Sequence, residues 1–191
     1  MKVGYNRGMK VGVARLTIEE LHRLPEDSNR YELVDGELYV SAAPRQKHQR
    51  ISSDLHDWLS PFAKKHNLGR VYHAAFDVFL DPPKQTCVQP DLLFVSQDRR
   101  HIIKEDGVYG PPHLVVEIVS ESTHRADTSG KRDLYRRAGV REYWIVNPDE
   151  CYLLVYRFDE SAEPRKLVVG DILTTPLLPG LEIPVNSLFA D

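Results

Sequence analysis

Cysteine is scarce: Cys87 and Cys151 are the only two in 191 residues, and they form no CxxC pair. That is too few for a disulfide framework. Long apolar runs are missing as well, and no stretch approaches the roughly 20 residues a membrane span needs. The N-terminus lacks the apolar centre of a signal peptide. A reducing cytoplasm is the expected compartment. There is no basic excess, since the net charge is −3 and the pI about 6.2. Proteins that coat nucleic acid non-specifically are usually basic, so any DNA contact here must come from a local patch. The eight histidines form no HxH or HExxH set, and zinc is not assigned. No repeat of solenoid period occurs. The one self-similarity is "MKVG" at 1 and again at 9, which makes Met9 a second candidate start. Residues 1–14 are expected to be loosely held, and 15–191 to form one domain.

What is present is ordinary globular material, 41% hydrophobic and 28% charged, enough for one core. "TIEELHRLPED" predicts a short helix, with Thr17 and Glu20 as a capping box and Pro25 as its stop. "RYELVDGELYV" predicts a hairpin around Asp35-Gly36, a pair suited to a two-residue type I′ turn. "HQRISSDLHDWLSPFAKKHNLG" predicts a long helix. Its stripe is Ile51, Leu55, Trp58, Leu59 and Phe62, with Pro61 expected to kink or shorten it and Gly69 as the stop. Strands are expected at 70–80, 91–95 and 114–120. A helix follows from Asp127 as N-cap to Gly139, then two strands around "NPDE" and short strands in the tail. The fold class is therefore α/β (α+β): a mixed central sheet flanked by helices, with an added N-terminal helix and hairpin and C-terminal strands.

The strand "LVVEIVS" poses the functional question. Alternation puts Val115, Glu117 and Val119 on one face and Leu114, Val116 and Ile118 on the other. Both faces are apolar, so the strand should be central and covered on both sides. A buried carboxylate is costly unless paired, protonated or bound to metal. Asp91, directly after Pro90, can aim a second carboxylate at the mouth of the sheet. On the next helix Lys131 lies three and four residues before Leu134 and Tyr135, so it faces inward with them. Two acids and a lysine at one end of a sheet suit metal-dependent phosphodiester hydrolysis. Carboxylates hold Mg²⁺, and a lysine supplies a point charge for phosphate or water.

"QPDLLFV" and "LVVEIVSESTHRADTSGKRDLYRRAGVREYWIVNP" together resemble the putative restriction endonuclease (Uma-type) family of the PD-(D/E)XK nuclease superfamily. The resemblance runs from about "TIEEL" to "LPGLEIPVNSLF". It implies a restriction-endonuclease-like fold and a Mg²⁺-dependent endonuclease acting on DNA, with Mn²⁺ as substitute. It also implies Asp91 and Glu117 as metal ligands, with the backbone carbonyl of Ile118 as a further ligand. The superfamily usually carries its lysine two residues after the glutamate, where this chain has Val119. Lys131 is the substitute the resemblance offers, and Glu32 in "YELVDGE" matches a recurrent family position as an accessory acid. Cutting both strands would suit a homodimer, which the sequence does not show.

Other readings stand beside this one. Glu117 and Lys131 can form a structural ion pair. Asp91 can be a turn residue at a strand start. Glu32 can belong to a solvated hairpin face, and the arginines at 132, 136, 137 and 141 to a solvated helix face. The rival function is a non-catalytic nucleic-acid-binding or interaction protein that keeps the fold.

Overall fold

The computed structural model describes residues 15–25, 27–119 and 128–190. The expected N-cap Asp127, Ser120 at the end of "LVVEIVS" and the 1–14 extension lie outside them. Helix α1 (Ile18–Leu21) starts at the capping box: Glu20 N–H donates to Thr17 Oγ1 and Thr17 N–H to Glu20 Oε2. It ends at Leu21, short of the Pro25 boundary. Strands β1 (Arg30–Val34) and β2 (Glu37–Ser41) pair antiparallel with Val34 opposite Glu37. The turn between them has Asp35 at φ 52° and Gly36 at φ 80°, as a primed turn requires.

Helix α2 (Gln46–Lys65) runs on past Pro61 instead of stopping there. Proline removes one backbone donor, but Leu59 and Ala63 are buried on either side of it and keep the helix seated. The buried row is Ile51, Leu55, Leu59 and Ala63, spaced by four. A row at that spacing drifts around the helix. Trp58 is thereby left on its rim, 37% exposed, and not in the core as the sequence suggested. The helix is closed by Asn67 in the left-handed region, φ 53°, not by Gly69. Gly69 instead opens strand β3 (Gly69–His73), where a Cβ would sit 2.2 Å from Val95 O and 2.7 Å from Phe94 Cε2. Gly69→Ala is expected to destabilise the fold by about 1–3 kcal/mol, since two of the three obstacles, Val95 O and Ser96 Cα, are backbone. Urea denaturation would read this as a lower midpoint at unchanged slope.

The single strand expected at 70–80 is two strands in different sheets, β3 and β4 (Val78–Asp81). No glycine or proline marks the break, so the run of strand formers hid it. Then follow β5 (Thr86–Val88), β6 (Leu92–Ser96), β7 (Val108–Tyr109) and β8 (Leu114–Ile118). After helix α3 (Thr128–Ala138) come β9 (Glu142–Asn147), β10 (Tyr152–Arg157) and β11 (Arg165–Val168). The chain closes with β12 (Ile172–Thr174), β13 (Glu182–Pro184) and α4 (Asn186–Phe189).

The large sheet has the order β11-β10-β9-β8-β6-β3, and the smaller one β2-β1-β5-β4-β7. Both are mixed: β8 is parallel to β9 and antiparallel to β6, while β4 is parallel to β7. Strand β8 is central, and all five of its residues are buried. One face of the large sheet, with Leu114, Val116 and Ile118, packs on α2. The other, with Val115 and Val119, meets Leu134 and Tyr135 of α3 and Val78, Val88 and Val108 of the small sheet. The fold is the mixed α/β arrangement expected, with a second sheet helping α3 to cover the second face. Among the described residues no helix is long and apolar enough to cross a membrane.

Candidate active site

Glu117 lies on the β8 face turned towards α3 and the small sheet. Strand β6 brings its first acid alongside. Leu92 pairs with Val116, so Asp91, one step before β6, falls beside Glu117. There it extends the ladder through its side chain, with Ile118 N–H donating to Asp91 Oδ2 at 2.7 Å. The small sheet supplies the third acid. Leu33 of β1 is buried against Leu21, Phe79 and Cys87 on that sheet's outer face. Alternation turns Glu32 inward, where it is only 5% exposed. Helix α3 then inserts Lys131 between the sheets. Its Nζ donates to Glu32 Oε2 at 2.8 Å and to Glu117 Oε1 at 3.0 Å. Glu117, Lys131 and Glu32 therefore form one cluster, with Asp91 at its edge. Glu32 is not on a solvated hairpin face, and Asp91 is not a plain turn residue.

Val119 is buried in the apolar cluster with Val115, Leu134 and Tyr135. The ammonium group reaches Glu117 from α3, so the cluster has a lysine although the strand position is apolar.

Sequence reasoning missed several partners. Arg30 Nη2 donates to Asp91 Oδ1 at 2.7 Å, and its Nη1 donates to Gln89 O at 3.1 Å. His48 Nε2 lies 3.0 Å from Asp91 Oδ2. Tyr135 O–H donates to Glu117 Oε1 at 2.7 Å, and Gln89 N–H to Glu32 Oε1 at 2.8 Å. A signal existed for three of them. Arg30 shares the Glu32 face of β1 by period two. Tyr135 stands one helical turn after Lys131. His48 sits one turn before the Ile51–Ser52 start of the buried face of α2. For Gln89 no spacing pointed to the site.

The two strand acids are tuned in opposite directions. Burial works against the charge of Asp91, but His48, Arg30 and the Ile118 amide outweigh it and lower its pKa to about 2. Burial raises Glu117 first. Lys131 pulls the other way, while Asp91 and Glu32 add to the rise, and the pKa is pushed up to about 7. Arg30 loses by burial, yet Asp91, Glu117 and Glu32 together hold its guanidinium charged. The Tyr135 hydroxyl is pushed well up by burial and then by Glu117, so it stays a donor. Near neutral pH the cluster therefore holds one firmly ionised carboxylate and one poised between its two states.

The comparisons with known proteins bear on the family and the fold. A family model described as Uma2, putative restriction endonuclease, matches residues 18–186. No curated protein matches the chain. A crystal structure of a putative nuclease belonging to DUF820, from Anabaena variabilis ATCC 29413, is similar with a TM-score of 0.77. The match has 19% identity and covers 92% of this chain and 98% of that one. At that identity the likeness speaks for the fold alone.

Proposed function

Because the chain belongs to the putative restriction endonuclease family Uma2, we propose that it is a metal-dependent endonuclease hydrolysing phosphodiester bonds in DNA. The observation that carries the reading is Lys131 Nζ bridging the buried Glu117 and Glu32 close to the buried Asp91. Three buried carboxylates stand against one lysine and one arginine, and Asp91 and Glu32 add to the rise that burial imposes on the pKa of Glu117. A hard divalent cation fits that donor set, which is all oxygen.

Asp91 and Glu117 would hold Mg²⁺, or Mn²⁺ in its place, with the Ile118 carbonyl as a further donor. When bound, the ion lowers the pKa of a water and neutralises charge on the phosphate oxygens. The chain's own residues do the rest. Arg30 and the Ile118 amide fix the rotamer of Asp91. Tyr135 fixes Glu117. Lys131, anchored by Glu32, offers an ammonium to an attacking water or to the scissile phosphate.

A second reading draws on Asp91, whose two oxygens already carry three contacts from Arg30, His48 and the Ile118 amide. Such a closed network suits a nucleic-acid-binding module without catalysis. Incubation of supercoiled plasmid and single-stranded DNA with Mg²⁺ or Mn²⁺ separates the two. Nicking that stops with chelator is expected. Retarded migration of DNA without any cleavage, in either metal, would favour the binding module.

A further inference from the structure

A second group of ligand-type side chains lies on the outer face of the small sheet. His22 follows α1, Asp77 precedes β4, and Cys87 is in β5. One ligand atom from each of the three lies within 4.8 Å of the other two. His22 Nε2 is already 3.1 Å from Asp77 Oδ2. No spacing in the sequence announces the trio, since 55 residues separate His22 from Asp77 in the chain. We propose that His22, Asp77 and Cys87 form a zinc-class metal site, distinct from the Mg²⁺ site proposed for the carboxylate cluster.

The donor chemistry selects the metal. Imidazole nitrogen, carboxylate oxygen and a thiolate suit Zn²⁺, and the thiolate excludes Mg²⁺. Bond lengths near 2.0–2.3 Å in a tetrahedron put ligand atoms roughly 3.3–3.8 Å apart. The trio is therefore about an ångström from that geometry. The ion would take the place of the hydrogen bond between His22 Nε2 and Asp77 Oδ2, with the neutral imidazole carrying its proton on Nδ1. Cys87 gives up its thiol proton to the buffer as its sulfur binds. Cys87 is buried while His22 is half exposed, so the fourth position faces solvent and a water fills it.

The surroundings also match a metal centre. Asp77 Oδ1 accepts a 2.7 Å hydrogen bond from Gln89 Nε2, which orients the carboxylate from behind. The backbone of the same Gln89 donates to Glu32 and accepts from Arg30. The ion would thus pin α1 to the sheet and steady the segment that leads into Asp91.

Cobalt(II), a spectroscopic stand-in for zinc, provides the test. Titrating the full chain with Co²⁺ is expected to give a near-ultraviolet thiolate-to-metal band that Zn²⁺ bleaches. Cys87→Ser should abolish the band, and Cys151→Ser should leave it intact. His22→Ala, at a half-exposed position that should not unfold the protein, should weaken Co²⁺ binding at least tenfold. Asp91→Asn should keep the band, so failure of the nuclease reading leaves this one standing. Absence of a thiolate band in the wild type would overturn the proposal. So would a band that follows Cys151, or one indifferent to His22→Ala.

Discussion

Asp91→Asn is expected to lower metal-dependent cleavage by on the order of a thousandfold, equivalent to about 4 kcal/mol of transition-state stabilisation. The asparagine keeps the shape and one acceptor oxygen, but it removes the charge a divalent cation needs. Asparagine is preferable to alanine here. Arg30 is buried against Asp91, and removing its partner outright would cost about 3–5 kcal/mol by leaving an uncompensated charge. Even the milder change lowers stability, and the pH dependence shows how. The folded pKa of Asp91 is about 2, below its ordinary 3.8. A depressed acid contributes stability above its unfolded value and loses it as pH falls through the folded one. The contribution is about 2–3 kcal/mol at neutral pH. Wild type should therefore shed this stability between roughly pH 4 and pH 2, and the variant should lack it throughout. Two measurements check the prediction. Plasmid nicking rates should collapse, and the rise in melting temperature on adding Mg²⁺ should disappear. Unchanged nicking, or a metal-induced rise that survives the substitution, would remove Asp91 from the metal site.

How far the sequence could be read depended on the range of the signal. Local patterns were reliable. The capping box at Thr17 and Glu20, the Asp35-Gly36 turn and the alternation that buries Glu117 all act over two to four residues. Each has a period or a turn chemistry that the chain itself carries. The inward placement of Lys131 is legible in the same way, from its position on the Leu134–Tyr135 stripe. Features set by distant segments were less legible. The division of 70–80 between two sheets depends on which neighbour each half finds, and His73 and Val78 carry no mark of it. Trp58 was misplaced because a helix stripe drifts and the sheet beneath decides which edge is covered. Glu32 came from the family resemblance, while its hydrogen bond from Gln89 depends on β1 pairing with β5 across more than fifty residues of chain. Gln89 and the His22–Asp77–Cys87 trio belong to the same class of contact, made by topology and not by spacing.

Glu117→Gln should separate a catalytic carboxylate from a structural ion pair, because the two roles predict opposite changes in stability. Burial is the largest influence on Glu117, and Lys131 does not overcome it; the folded pKa is about 7 against an ordinary 4.5. A raised pKa means that the folded protein holds its proton more tightly than the unfolded chain. Stability is thus complete below about pH 4.5 and falls as pH rises to 7, by on the order of 3 kcal/mol. Glutamine cannot ionise and avoids that loss. It surrenders the charge-assisted bond from Lys131, but Lys131 keeps Glu32 at 2.8 Å. Above pH 7, in metal-free buffer, Glu117→Gln is therefore expected to be more stable than wild type by about 1–3 kcal/mol. Below pH 4.5 the gain should vanish, because wild type is then protonated too. Cleavage should fall by on the order of a thousandfold in the same variant. Had Glu117 served mainly as a partner for Lys131, the substitution would instead cost about 3–5 kcal/mol at every pH where the pair is charged. Urea denaturation on both sides of the titration decides between them. A destabilised variant above pH 7 would make the cluster an ion network, and a stabilised but inactive one would mark a carboxylate kept in place for its chemistry.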